Sequence, residues 1–348
     1  MIPLVREFLA DSSFPEDEGN YVRIIAEGLA AAEFKKGDIP LYFEGTRNFQ
    51  DEPFSLSRDL VLKLFFGAVG PRPNVDVVVS GSSSPINLER QFSQIARSLG
   101  VPVVALEDFW GGHLRLDVKP DLLLCLDEYA EKLALERHGS IRTAVVGNHG
   151  VSREINPSPK ALEFFSKFRS GKFRLVLSFF GGGTDCTSAE ISMLVESLKL
   201  TSFSDWCLIP RLHPKLKDTK HPSGSTWGEV WRKELSVFGD RLIWADHLST
   251  EDVVVLGNVL FAGFSTTLTT AAVAGKRAIS LWPPETRASL RKQTGLDQVP
   301  LVALGCARQI TKPKDLLLTL SAPLPNTSKL KPYDPKIAYR AIKDFVGT

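Results

Sequence analysis

The side chains best suited to chemistry fall into four short clusters. Gly263-Phe264-Ser265-Thr266-Thr267 follows the apolar stretch VVVLGNVLFA and opens an Ala-rich segment with helical character. At a helix N-terminus, unpaired backbone N–H groups and the positive end of the helix dipole favour an anion such as phosphate, and the hydroxyls of Ser265, Thr266 and Thr267 add to them. A hydroxyl-capped buried helix is the competing reading, but three consecutive hydroxyl residues exceed what one cap requires. Arg211-Leu212-His213-Pro214-Lys215 follows a strand ending at Pro210. Arg211 and His213 suit charge-assisted bonds to phosphate oxygens, and Pro214 fixes the turn that presents them. Gly181-Gly182-Gly183-Thr184-Asp185 occupies another strand-to-helix junction, where Gly182 and Gly183 let a phosphate come close and Thr184 adds a hydroxyl. It matches neither GxGxxG nor the P-loop. The fourth cluster is Glu107-Asp108, ending the run VPVVAL, with Trp110-Gly111-Gly112-His113 just after. Adjacent carboxylates in a strand point to opposite sides, so one of the two, Asp108 or Glu107, is expected to face a cleft and take a proton from a hydroxyl. His113 is an alternative base or a phosphate contact, and Ser82 and Ser83 end a neighbouring strand. No Ser/His/Asp triad can be assigned, and Gly-Ser-Ser-Ser forms no GxSxG elbow.

The chain that must position these groups has 348 residues, 43% hydrophobic and 24% charged, with a formal net charge of +2. That length predicts two domains of roughly 150 to 180 residues. A near-neutral balance excludes a general electrostatic grip on nucleic acid. Of the basic clusters near 211–220 and 329–343, the second reads as a solvated helical face at least as well as a phosphate or membrane-surface contact. Cys125, Cys186, Cys207 and Cys306 lie far apart with no CxxC pair, which argues against zinc or a disulfide framework and fits a reducing compartment. The start, MIPLVREFLADSSFPEDEG, carries Arg6 and Glu7 inside its apolar run and so does not resemble a secretory signal. Residues 253–274 approach the length of a membrane span, but Gly, Asn and the Ser/Thr cluster interrupt them; strand, turn and buried helix is the expected reading.

Apolar runs alternate with helical patterns along the chain. Strands are predicted at 21–26, 75–79, 103–106, 121–126 and 143–146, then at 173–179, 206–209, 241–244, 253–261, 278–281 and near Val302. Helices are predicted at 3–9, 30–36, 87–99, 128–137, 160–168, 188–198 and 335–346. Continuous Val, Ile and Leu runs separated by helices imply parallel sheets covered on both faces. The expected class is therefore α/β, with two Rossmann-like doubly wound lobes at 1–155 and 172–325, a hinge within 152–171, and a tail, 326–348, whose helix crosses back to the first lobe. The chain opens with a helical pattern, so the first strand usual for such a lobe is expected to be missing or displaced.

With these residues placed, the chain resembles the GT-B superfamily of two lobes around an interdomain cleft. RLHP followed by Ser265 to Thr267 is similar to the His-Pro and Ser/Thr motifs of sialyl-, polysialyl- and glycerophosphotransferases, where they hold the donor's phosphates. VDVVVSGSSSP, GVPVVALEDFW, PDLLLCLDE and AVVGN are similar to the first-lobe series of the non-hydrolysing UDP-N-acetylglucosamine 2-epimerases, where a carboxylate matching Glu107 lies in the active site. Where many GT-B proteins carry a Glu that binds the donor ribose, this chain has Thr270.

The resemblance implies a glycosyltransferase of bacterial polysaccharide biosynthesis. It would move a sugar or polyol-phosphate from a nucleotide donor to a glycan or lipid-linked acceptor. No metal or other cofactor is called for, and the protein would be cytoplasmic, with peripheral contact at the inner membrane face left open. A UDP-sugar 2-epimerase or hydrolase, and a degenerate non-catalytic GT-B protein, remain as alternatives.

Overall fold

Runs of β-branched and aliphatic residues that can be buried on both sides form the centre of each half of the molecule. The computed structural model describes residues 24–27, 43–45, 76–82, 88–151, 156–169, 173–182, 186–213, 216 and 219–347. The first lobe contains β1 (Ile24–Glu27), β2 (Phe43–Gly45), β3 (Val77–Gly81), β4 (Val103–Leu106), β5 (Leu122–Cys125) and β6 (Arg142–Val145). They form one parallel sheet in the order β2-β1-β3-β4-β5-β6. The second lobe contains β7 (Leu175–Phe180), β8 (Trp206–Arg211), β9 (Val259–Ala262), β10 (Arg277–Leu281) and β11 (Arg308–Ile310), all parallel in the order β11-β10-β9-β7-β8.

Alternate side chains of the central strands enter different cores, the period-two rule applied to sheets covered on both sides. Val77, Val79, Leu122 and Leu124 pack on the Pro335–Val346 helix through Ala338 and Ile342. Ala105, Leu123 and Cys125 from the opposite face share a core with Leu260, Leu268, Leu290 and Leu296 of the second lobe. Leu177, Phe179, Leu208, Phe261 and Ile279 form a further core with the Thr187–Lys199 helix and Trp231. All four cysteines are buried thiols outside any disulfide. Among the described residues no helix is long and apolar enough to cross a membrane.

Several expected elements take a different form. β1 fills the place beside β3, so the described sheet has the six strands of a dinucleotide-binding lobe but reads 2-1-3-4-5-6 where that lobe reads 3-2-1-4-5-6. The expected helices at 3–9 and 30–36 lie outside the described residues. The strand expected at 253–261 splits into a helix, Thr250–Leu256, and β9. Ser249 and Asp252 form a capping box there, with Ser249 Oγ accepting from the Asp252 N–H at 3.0 Å, which starts a helix despite three consecutive valines. The region near Val302 is a short helix, Pro300–Ala303, and the strand expected at 241–244 is reduced to one parallel bridge, Leu242 against Leu208. Counting that bridge, the second lobe has the 3-2-1-4-5-6 order.

Between the lobes, the Pro159–Arg169 helix is tied to the second lobe. Ser158 donates its N–H and its hydroxyl to the Asp252 carboxylate at 2.7 and 3.0 Å. Farther on, the chain crosses back at Asn148, whose N–H donates to Lys331 O and whose carbonyl accepts from Tyr333. Gly147 has φ +90°, and a Cβ at that position would overlap the Pro332 carbonyl. Gly147→Ala therefore combines left-handed strain with backbone overlap and should cost at least about 2 kcal/mol of unfolding free energy. Urea unfolding, with limited proteolysis of the C-terminal segment, measures it; wild-type stability would contradict this role.

Candidate functional site

In a doubly wound sheet the ligand crevice lies at the C-terminal strand ends, where the strand order reverses. In the second lobe that point falls between β7 and β9. Phe180 pairs with Arg211 of β8 on one side and with Ala262 of β9 on the other, so the three following loops leave at one level. Those loops begin with Gly181-Gly182, with Leu212-His213 and with Gly263-Phe264-Ser265. The structure thus brings Gly182, Arg211 and Ser265 to one end of one sheet, while Gly183 and Thr184 lie outside the described residues.

Ser265 caps the Thr266–Val273 helix: its hydroxyl oxygen accepts from the Thr267 N–H at 3.3 Å and from the Thr267 hydroxyl at 2.9 Å. Thr266 is exposed. Arg211 is half-buried and one guanidinium nitrogen donates to Ala245 O at 3.1 Å, which fixes the group at the strand end. His213 is half-buried, and its carbonyl accepts from Leu216 N–H in the turn. Thr270 turns back on its own helix, donating to Thr266 O at 3.3 Å. A Cβ on Gly181 would strike the Trp231 indole, which stacks on Phe179 with centroids 5.0 Å apart.

Under these loops lies Glu190, 1% exposed. Its Oε1 accepts from Thr286 Oγ1 at 2.9 Å and Cys186 Sγ at 3.3 Å, and the Gly182 N–H supplies a backbone hydrogen bond. Oε2 is buried without a hydrogen-bond partner, and a Cβ on Gly263 would overlap the carboxyl. Burial pushes the group up to about 7, against the pull of those three donors.

In the first lobe Glu107 and Asp108 turn apart. Glu107 is wholly buried; its Oε1 accepts from the Gly111 N–H at 3.0 Å and lies 2.6 Å from His113 Nδ1, while Oε2 has no partner. His113, 3% exposed, places Nε2 2.9 Å from His138 Nε2. Both its nitrogens are engaged, so it is not presented to a phosphate. Burial raises the Glu107 carboxyl and His113 opposes that rise; burial, then the charge of His113, lowers His138. Asp108 is one-fifth exposed, accepts from Ser82 Oγ at 2.6 Å and lies 3.9 Å from Arg115. Burial raises its carboxyl above the usual range, opposed by the Ser82 bond and by Arg115. Gly112 permits this cluster, because a Cβ there would stand 2.5 Å from Ser82 Oγ and 2.8 Å from Asp108 Oδ1. Ser83 lies outside the described residues.

The two loop sets belong to lobes that touch. Arg137 donates to Thr294 O at 3.0 Å, and a Cβ on Gly111 would come 3.3 Å from the same oxygen. Gly150, in the loop after β6, neighbours Thr269 of the Thr266–Val273 helix. A groove of about 920 Å³ opens beside β10 and β11, lined by Trp282, Arg287, Arg291 and Gln309 among others. Asp297 partly offsets its two arginines, at 3.5 and 3.6 Å.

Two parallel doubly wound lobes, each presenting loops from its strand ends, are the architecture of GT-B proteins, and solved structures that align over nearly the whole chain share it. The chain has the GT-B fold. No known family profile and no curated protein matches the sequence. Solved structures do match. Staphylococcus aureus MnaA, solved with UDP, aligns over 94% of this chain and 97% of its own at 11% identity and TM-score 0.61. The UDP-GlcNAc 2-epimerase of Methanocaldococcus jannaschii aligns over 100% and 98% at 13% identity and TM-score 0.57. HepE from Anabaena, in complex with UDP, aligns over 94% and 95% at 13% identity and TM-score 0.51.

Sequence reasoning missed Glu190 and His138. Glu190 carried a signal, being a carboxylate on the buried stripe with Ile191, Leu194 and Leu198. His138 carried none, since its contact with His113 spans 25 positions. The second lobe thus holds a buried carboxyl whose proton affinity links stability to pH. Burial pushes folded Glu190 up to about 7, whereas the unfolded group loses its proton in the usual carboxylate range, near 4.5. Its contribution is fully present below the unfolded value and is lost as pH rises through the folded one, on the order of 3 kcal/mol. Glu190→Gln should gain thermal stability relative to wild type between about pH 5 and about pH 8. Parallel melting curves across that range would contradict the assignment.

Proposed function

We propose that this GT-B protein is a nucleotide-sugar-dependent glycosyltransferase, binding the donor's diphosphate on the second lobe and activating an acceptor hydroxyl from the first. The observation that carries this reading is the common level of Gly182, Arg211 and Ser265 at the strand-order reversal. A helix N-terminus with its hydroxyls and one guanidinium form a set of donors suited to a diphosphate, and Gly182, with no side chain, lets it come close while its own N–H is held by Glu190. The same donors would stabilise the leaving nucleotide as charge develops, so this step needs no metal. UDP is the nucleotide to test first, because MnaA and HepE were solved with it.

Asp108 is the proposed base. It is the accessible one of the two carboxylates, and Ser82 orients it. A raised proton affinity brings a carboxylate nearer to that of the proton it must take. The acceptor would be a glycan or lipid-linked saccharide. One observation favours a second reading, a UDP-sugar epimerase or hydrolase: the chain Glu107, His113, His138 is a proton-holding set at the first lobe.

Arg211→Ala should weaken UDP binding by about 10- to 100-fold, the worth of a charge-assisted bond, with its melting temperature near that of wild type. Titration calorimetry measures this, and unchanged affinity would remove Arg211 from the site. With a UDP-sugar and acceptor, Asp108→Asn should keep UDP affinity and lose about 10²- to 10⁴-fold in turnover. A UDP-sugar incubated without acceptor separates the readings: a changed sugar or rapid release of UDP selects the second.

A further inference from the structure

Glu190 does not reach solvent, so it does not touch a ligand in the cleft. It nonetheless meets two of the three loops on which the proposed cradle is built, those after β7 and β9. Its carboxyl bonds Gly182 after β7, lies against Gly263 after β9, and accepts from Thr286 in the Pro284–Thr294 helix after β10. Cys186, on its own helix side, completes the contacts. Of these neighbours only Cys186 titrates, and no charged side chain among the described residues acts on the carboxyl. One oxygen remains buried without a partner.

A neutral carboxyl in that place leaves the cradle's N–H groups and Arg211 facing an anion unopposed. An ionised one puts an uncompensated negative charge directly behind Gly182 and Gly263, in a setting that screens it poorly. We propose that Glu190 is a positioning residue for the cradle and that its ionisation state sets the cradle's affinity for diphosphates, the charged form repelling them. This rests on the reading of Gly182, Arg211 and Ser265 as an anion site. The titration lies near neutral pH, so affinity falls as pH rises through about 7. By linkage, diphosphate binding above that pH draws a proton onto Glu190.

The test is calorimetric titration of UDP, with inorganic pyrophosphate as second probe, into wild type, Glu190→Gln and Thr286→Val at about pH 6 and about pH 8.5. UDP's own ionisation is common to all three proteins. Between the two pH values wild type should lose about tenfold in affinity relative to Glu190→Gln. In buffers of different ionisation enthalpy, wild type should take up a proton on binding at the higher pH that Glu190→Gln does not. Thr286→Val removes a donor that favours the charged form, so its loss of affinity should move to higher pH. That variant keeps the test open if Glu190→Gln does not fold. Parallel pH curves for wild type and both variants would overturn the gate and leave the cradle standing, since a purely structural Glu190 shifts affinity equally at every pH. Failure of UDP and pyrophosphate to bind any of the three proteins would overturn the cradle and the gate with it.

Discussion

The pairing of Phe180 with Arg211 and Ala262 is the constraint on which the second lobe's chemistry depends. Parallel strands that end at one level must send their loops out together, and the reversal of strand order parts the flanking helices so that a crevice opens between those loops. Packing keeps the level fixed. Phe179 stacks on Trp231, Gly181 is small because the indole occupies the Cβ position, and Gly181 N–H bonds Arg211 O at 3.1 Å. Gly181 therefore serves the fold, and half-buried Gly182 is tied to the helix behind it, its N–H on Glu190 and its carbonyl accepting from Thr187 Oγ1 at 2.7 Å.

Each lobe buries a carboxyl behind its loops: Glu107 in the first, Glu190 in the second. Burying an ionised group without a counter-ion is costly, and the usual response is to hold the proton. The two sites respond differently. Glu107 has His113 at 2.6 Å, a partner that favours its charged form, whereas Glu190 has only neutral donors. In the proposed reading the difference suits their roles. A paired carboxylate can exchange protons with a neighbour; an unpaired one can only carry or lack a charge.

The central strands were legible because continuous apolar runs admit few alternatives: 103–106 was expected and β4 is Val103–Leu106, and the helix at 335–346 likewise. Errors arose where a short apolar run could serve either state. Val253, Val254 and Val255 have strand propensity, but the Ser249–Asp252 capping box at the preceding turn starts a helix. Residues 241–244 have strand composition, yet Leu242 alone bridges Leu208. β11 is three residues long, too short for a period to show. For the site, the sequence marks residue types at strand ends but not which way they turn. The opposed directions of Glu107 and Asp108 follow from strand geometry, while which of them meets His113 depends on Gly111 and Gly112 folding the loop back.

The His113–His138 contact carries the proton argument one step further. Two imidazole Nε2 atoms 2.9 Å apart can share one proton but not two, because two N–H groups facing each other leave no acceptor. If Nδ1 of His113 donates to Glu107, its Nε2 is an acceptor whenever the ring is neutral, and His138 must then be the donor. A proton delivered to half-buried His138 can pass to Glu107 by switching both tautomers, with no side chain moving. The adjacent residue, Arg137, bonds Thr294 of the other lobe. In the epimerase or hydrolase reading this would place the outer end of the proton chain beside a contact that any relative movement of the lobes must strain.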